Sequence, residues 1–120
     1  MQSNIVIDEN LIKLNGVENV FNYPIAEVKQ IGTLYIVRLA IPMNISLDKE
    51  DFNNVYCMDN TGKIIWQIQN IQPVDCPEFT IAPIVLINLN ESQLFVTDFM
   101  GRKYEVKLQT GEMELKRITK

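Results

Sequence analysis

Residues 55–66, VYCMDNTGKIIW, carry the clearest structural pattern in the sequence. Two short runs of β-forming residues flank a central turn sequence. In the second run Ile64 and Trp66 point to the same side, as the period of two in a half-buried strand requires. Asp59 can fold its side chain back onto the turn backbone, and Gly62 supplies the positive φ that a tight turn needs. The stretch therefore predicts a β-hairpin.

The same pattern continues along the rest of the chain. Residues 103–108 alternate between apolar and charged side chains, and further turn signals lie at 15–16, 98–101 and 109–111. Isoleucine and valine total 26 while alanine totals three, which favours strands over helices. We therefore predict one all-β domain over residues 1–120. It is an antiparallel meander of about nine or ten strands, formed from hairpins that close as a compact barrel or sandwich.

Two segments are apolar on both faces, residues 33–41 and residues 81–89. They are predicted to be central strands that are covered on both sides. Pro83 lies near the start of the second segment and predicts a bulge or an edge position there.

Ser46 is a helix N-cap residue followed by acids, so residues 46–52 are expected to form a single helical turn.

The hairpin of residues 55–66 has a second copy 48 residues later, so that Tyr56 corresponds to Tyr104. Each copy has an aromatic residue, then Thr-Gly and a charged residue, then a large apolar residue. The pattern resembles the repeat of PQQ-like (quinoprotein-type) β-propellers, over residues 53–71 and 92–118. In that family the repeat marks the outer strands of a blade and its Trp packs between neighbouring blades. The resemblance implies propeller-blade-like hairpins, with Trp66 between two of them.

The chain also departs from that family. Leu115 stands where the repeat has Trp, and the two cysteines, Cys57 and Cys76, are not adjacent. The resemblance therefore implies architecture and no quinone cofactor. A closed propeller needs at least about four blades, which is more than 120 residues hold. Either the hairpins curl into one compact structure, or protomers associate and complete a shared β structure.

Composition excludes several classes of function. The chain of 13.9 kDa has a net charge of −4 and no histidine. An acidic surface is a poor partner for nucleic acid, and the lack of histidine removes the commonest general base and metal ligand. The most apolar stretch is seven residues, 81–87, whereas a membrane-spanning helix needs about 20. With no secretory signal pattern at the N-terminus, we expect a cytoplasmic protein with no cofactor, metal or membrane partner.

Candidate catalytic side chains are few. Cys57 lies in an alternating apolar run and is predicted to be a buried structural thiol, while Cys76 sits in a predicted loop beside an acid that disfavours a thiolate. Ser92 has no histidine to activate it and is predicted to be a turn residue. Asp59 and Asp98 are predicted to be turn formers, and Trp66 a core anchor. The remaining carboxylates are predicted to be solvated: Asp48, Glu50, Asp51, Asp75 and Glu78.

These observations favour a non-catalytic protein-interaction or assembly module of a bacterial type, which recognises a protein partner or a second copy through a sheet face or edge. One alternative is a β-barrel carrier for a small apolar ligand. A third hypothesis is a carboxylate-dependent hydrolase, which requires two acids that face each other in a cleft.

Overall fold

A computed structural model describes residues 5–42, 52–69 and 82–118, and these ranges contain eleven strands. The predicted all-β antiparallel meander is confirmed, with eleven strands in place of nine or ten. The predicted helical turn falls almost wholly on residues outside the described ranges. The strands are β1 (Ile5–Asp8), β2 (Leu11–Leu14), β3 (Val17–Val20), β4 (Ile25–Ile31), β5 (Leu34–Leu39), β6 (Val55–Met58), β7 (Ile64–Gln67), β8 (Ile84–Asn90), β9 (Gln93–Asp98), β10 (Arg102–Val106) and β11 (Met113–Ile118).

The strands form three sheets, and within each sheet every strand pairs antiparallel with the next strand in the chain. Sheet 1 contains β1–β2–β3, sheet 2 contains β4–β5–β6–β7, and sheet 3 contains β8–β9–β10–β11. Turns and hairpins can connect such neighbours because antiparallel partners need only a short link. Among the described residues no sheet closes on itself, so the arrangement is a stack of sheets.

Sheet 2 is the middle layer, and its two faces line two separate cores. Alternation along β5 sends Ile36 towards sheet 3 and its neighbours Tyr35 and Val37 towards sheet 1. On one side Ile36, Cys57 and Trp66 pack against β8–β11 side chains such as Tyr104. On the other side Tyr35, Val37 and Met58 pack against Ile12 and Leu14 of β2. Strand β5 is therefore covered on both faces, as residues 33–41 predicted.

Strand β8 differs from its prediction. It was expected to be a central strand, but it is the edge strand of sheet 3, and Val85 and Leu86 are exposed. The reason is that sheet 3 ends the stack of described strands, so no layer of the described residues covers its outer face. The prediction from Pro83 is confirmed, because β8 begins directly after this proline, lies at an edge, and has a register shift between Ile84 and Leu86.

The two hairpins of the predicted repeat occupy corresponding places, since β6–β7 and β10–β11 are the last two strands of their sheets. Trp66 of β7 is buried between sheets 2 and 3, and its Nε1 donates a hydrogen bond to the carbonyl of Leu108 at 2.7 Å. The Trp66 ring lies directly over Gly111 of the β10–β11 turn, where a β-carbon would come within 2.6 Å of the ring. The prediction of Trp66 as a core anchor is confirmed.

Candidate functional site

The open edge of sheet 1 is the most unusual surface in the described part of the chain. All four residues of β1 are exposed, including three large apolar ones: Ile5 at 38%, Val6 at 52% and Ile7 at 47%. The β1–β2 register places Ile5 and Ile7 on the same face as the buried Leu14 and Ile12, while Val6 lies on the outer face. An exposed apolar edge strand offers a template for pairing with another chain unless charge, proline or a covering element blocks it.

The backbone of β1 is open as well as its side chains. A two-residue turn joins β1 to β2, and the pair nearest to it is Asp8 with Leu11. The two residues of such a pair exchange two backbone hydrogen bonds. Along the strands, hydrogen-bonded pairs then alternate with pairs that are not hydrogen-bonded. Asp8 and Val6 therefore direct their amide and carbonyl groups towards β2, whereas Ile5 and Ile7 direct theirs to the free edge. We call the side chains of Ile5, Val6 and Ile7 with these backbone groups the β1 edge.

The edge of β8, by contrast, is engaged by side chains of sheet 2. The carboxamide of the buried Asn54 donates to the carbonyls of Leu39 and Ile84 and accepts from the Ile84 amide, all at 2.8 Å. Farther along, Glu27 Oε1 accepts from the Ile87 amide at 3.0 Å and from Arg38 Nε at 2.6 Å. These contacts satisfy backbone groups of β8 and hold sheet 3 against sheet 2.

A second exposed apolar surface lies at the β9–β10 turn, where Phe99 and Met100 are each 57% exposed. The Phe99 amide donates to the carbonyl of Pro83 at 2.9 Å, which brings the turn beside the exposed Val85 at the start of β8. This turn surface is apolar, but the backbone edge next to it is the engaged edge of β8.

A buried carboxylate braces that turn. Asp98 accepts hydrogen bonds from the amides of Met100 and Arg102, both at 3.0 Å, from Arg102 Nε at 2.8 Å and from the Tyr104 hydroxyl at 2.8 Å. Burial, followed by the hydrogen bond to Asp98, raises the pKa of Tyr104 above its ordinary value. A phenol held neutral in the core and a carboxylate committed to four donors form a structural network, and neither group faces a cleft. The prediction of Asp98 as a turn former is confirmed.

Asp59 plays the same part in the β6–β7 turn, in a more exposed setting. Its Oδ1 accepts from the amide and hydroxyl of Thr61, at 2.9 and 2.5 Å, and from the Lys63 amide at 3.1 Å. The hydrogen bond from the Thr61 hydroxyl, followed by that from the Lys63 amide, lowers the pKa of Asp59. The prediction of Asp59 as a turn former is confirmed, because these bonds fix the turn.

A small cleft of about 140 Å³ opens at the start of β4 and β6. Amide and tyrosine side chains supply much of its lining, including Asn22, Asn53, Tyr56 and Gln67. Gln67 Nε2 donates to the carbonyl of Asn53 at 2.8 Å, and the Tyr56 ring packs on Phe21 with centroids 4.8 Å apart. The lining is polar and engaged in internal contacts, so the cleft does not suit the apolar ligand of the carrier alternative.

The other predicted site residues divide between the described and undescribed parts of the chain. Cys57 is a free, fully buried thiol whose pKa is raised to about 11, chiefly by burial and then by the charge of Asp59. This confirms it as a structural thiol. Ser92 lies exposed in the β8–β9 turn, as predicted. Outside the described residues lie Cys76, Asp48, Glu50, Asp51, Asp75 and Glu78.

Within residues 5–42, 52–69 and 82–118, no group of three or more acids and cysteines is placed to hold a metal ion. In the same ranges there is no helix of the length and apolarity that a membrane crossing needs.

Sequence reasoning missed the β1 edge. The signal was present, because Ile5, Val6 and Ile7 form an apolar run immediately before the turn residues Glu9 and Asn10. A short apolar run beside a turn predicts a strand, but periodicity within one run cannot show whether another strand will cover it. That information depends on which other strands join the same sheet.

Comparisons with known proteins agree with the fold and leave the activity open. A family model described as "Domain of unknown function (DUF7957)" matches residues 2–118. No curated protein matches the sequence significantly. Among solved structures the chain is similar to the computationally designed Ika8 protein, with a TM-score of 0.52 and 10% sequence identity. The match covers 94% of this chain and 34% of that one, so this chain spans about a third of the designed protein's length.

Proposed function

This chain belongs to the DUF7957 family, and we propose that it is a non-catalytic protein-interaction or assembly module that binds its partner at the β1 edge. The supporting observation is the concentration of exposed apolar residues in one sheet. Five of the eleven large apolar residues that are exposed in the described part lie in sheet 1. These five are Ile5, Val6, Ile7, Val17 and Val20. Ile5, Val6 and Ile7 lie together on the edge strand β1, and Val17 and Val20 lie on β3 across the sheet. An exposed apolar edge strand offers a template for pairing with another chain.

The chemistry of the described polar groups supports a non-catalytic role. Asp98, Asn54 and Glu27 are committed to hydrogen bonds that hold turns and layers together. Cys57 is a protonated, buried thiol at neutral pH, which is the opposite of an activated nucleophile. A free buried cysteine also suits a reducing compartment, so the proposal includes a cytoplasmic location.

Site-specific photo-cross-linking in the native cells tests this proposal. A photoreactive amino acid replaces Val6 on the β1 edge in one variant, and Lys107 in a matched control variant. Lys107 is also solvent-exposed but lies at the far end of sheet 3. The proposal predicts a discrete adduct with another polypeptide from position 6 and none from position 107. Equal labelling from both positions, or no adduct from position 6, contradicts it.

A further inference from the structure

We propose that the occupant of the β1 edge is an extended segment of another protein, which adds to sheet 1 as an antiparallel fourth strand. We further infer its chemistry: a basic residue followed by two apolar residues in alternate positions. This inference rests on the proposed interaction function and goes beyond it by naming the mode of binding and the class of partner.

The three sheets stack by a repeated set of contacts. Val17 at the start of β3 packs over Gly62, where a β-carbon would lie 2.6 Å from the valine Cβ. Trp66 of β7 packs over Gly111 in the same way, because a β-carbon at Gly111 would lie 2.6 Å from the Trp66 ring. Each last strand also donates a side-chain hydrogen bond to the next sheet, from Asn19 Nδ2 to the Gly62 carbonyl at 2.8 Å and from Trp66 Nε1 to Leu108. Strand β3 of sheet 1 therefore corresponds to β7 of sheet 2.

A second set of contacts shows which strand of sheet 2 corresponds to β1. The carbonyl of Glu9, in the β1–β2 turn, accepts from the amide of Ile25 at the start of β4. In the next pair of sheets Asn54, at the entrance to β6, binds Ile84 at the start of β8. In both cases the segment that joins two neighbouring strands, β1 to β2 or β5 to β6, holds the first strand of the following sheet. Strand β1 thus corresponds to β5, and no strand of the described residues takes the place in sheet 1 that β4 takes in sheet 2.

The unfilled place has the properties of a strand-binding edge. Ile5 and Ile7 each direct one amide and one carbonyl towards it, so an antiparallel strand can exchange up to four backbone hydrogen bonds there. On the face towards sheet 2, Ile5 and Ile7 offer apolar contact to two side chains of the incoming strand. The intervening side chain lies beside Val6 on the outer face, where it stays solvent-exposed. This is the β-augmentation mode of peptide recognition, in which backbone bonds give affinity and alternate side chains give specificity.

The antiparallel orientation follows the pairing of β4 with β5, and charge then selects the flanking residue. Asp8 ends β1 and Glu9 follows it, and both are exposed. The N-terminal end of an antiparallel strand lies beside Asp8, so the residue opposite Asp8 precedes the apolar pair. A lysine or arginine there faces two carboxylates of a chain with net charge −4. Opposite charges directly across a strand pair stabilise it, and like charges weaken it.

A second copy of this chain fits the edge less well. In the antiparallel register that pairs Val6 with Val6 of the copy, the twofold axis runs through the sheet and both copies keep sheet 2 on the same side. Strand β4 extends past β1 by one strand position under the correspondence above. Strand β4 of each copy then falls in the place of β5 of the other copy, whereas a single added strand lies over one β4 and displaces nothing.

Titration with two synthetic peptides tests the inference. Both probes contain Ile-Thr-Val preceded by a test residue, which is Lys in one and Glu in the other, within otherwise identical flanks. Wild-type protein is expected to bind the Lys peptide about two- to fivefold more tightly than the Glu peptide. The variant Asp8→Lys is expected to lose or reverse this preference. Backbone NMR shifts locate the binding, and we expect them at Ile5 and Ile7 and not at Phe99 or Met100.

A proline variant separates strand addition from other modes of interaction. Ile7→Pro removes an amide that faces the open edge and leaves the β1–β2 hydrogen bonds in place, because proline is tolerated on an edge strand whose N–H faces solvent. It is expected to weaken peptide binding at least tenfold, and Phe99→Ser serves as the control that leaves binding unchanged. Circular dichroism confirms that both variants keep the β fold.

Three outcomes overturn the inference. In the first, the position-6 cross-link captures a partner but neither peptide binds and Ile7→Pro leaves the adduct intact; the interaction module then stands without strand addition. In the second, peptide shifts map to the Phe99–Met100 turn. In the third, sedimentation shows a wild-type dimer that Ile7→Pro dissociates, which makes a second copy the occupant. If position 6 captures no partner in cells but the peptides bind at β1, the proposed cellular function is wrong. The inference that the β1 edge binds an added strand then still stands.

Discussion

Substitution of Gly111 by alanine tests the packing between sheets 2 and 3, one of the contacts that relate the strands of successive sheets. Gly111 has a φ of +79°, which favours glycine, and a β-carbon there would lie 2.6 Å from Trp66 Cε3 and 2.8 Å from Cδ2. The backbone cost of an L-residue in the left-handed region is about 1–2 kcal/mol. Forcing a methyl group into a packed interface adds about 1–3 kcal/mol. The free energy of unfolding should therefore fall by about 2–5 kcal/mol.

Gly16→Ala is the matched control, because Gly16 has a φ of +89° and no atom within 4 Å of the corresponding β-carbon. Only the backbone cost applies to it, so its loss should be about 1–2 kcal/mol. Urea denaturation followed by tryptophan fluorescence measures both values, and Trp66 reports directly on the interface. Equal losses in the two variants would refute the close packing of Trp66 on Gly111, and with it the correspondence between successive sheets.

Three further substitutions or reactions test the interior. Asp98→Asn should destabilise the fold by about 3–5 kcal/mol, because it removes the buried negative charge beside Arg102; Asp59→Asn, in the exposed equivalent turn, should cost clearly less in the same denaturation assay. Trp66→Phe keeps most of the apolar contact but leaves the Leu108 carbonyl without its indole donor, so a loss of about 1–3 kcal/mol is expected. Because Trp66 is the chain's single tryptophan, urea denaturation of this variant is followed by circular dichroism, and a loss near zero argues against that bond. The Cys57 thiol should react with iodoacetamide slowly at pH 8 in the native state and rapidly in urea, since its folded pKa of about 11 lies above the ordinary value of 9.0. The neutral thiol is favoured in the folded state, so stability from this group is present below pH 9 and is lost as the pH rises towards 11; rapid native labelling at pH 8 contradicts the burial.

Much of the fold was accessible from local sequence, because hairpins are specified by local rules. Asp59 and Asp98 each supply one carboxylate oxygen to amides two and four residues later, and this is the turn chemistry that the sequence signals. Strand β5 was recognised as central because both of its faces are apolar. The faces of β10 followed from strict alternation, with Tyr104 and Val106 buried.

The features that sequence reasoning missed depend on tertiary arrangement. Residues 81–89 are as apolar as residues 33–41, but β8 lies at the end of the stack and has an exposed face. Two turns were missed because Glu9 and Gly32 adopt positive φ in two-residue links without the usual Asn-Gly signal. The β1 edge was missed for a related reason, since a strand's own residues do not record whether a neighbour covers it.

Hydrogen exchange at individual β1 amides tests most directly whether sheet 1 lacks a strand. In the isolated protein the amides of Ile5 and Ile7 should exchange at least roughly tenfold faster than that of Val6, which is directed to β2, and far faster than that of Ile36 in the interior. Addition of the Lys peptide should slow Ile5 and Ile7 selectively. Strong protection of Ile5 and Ile7 in the isolated monomer would show that the edge is already paired and would contradict the account.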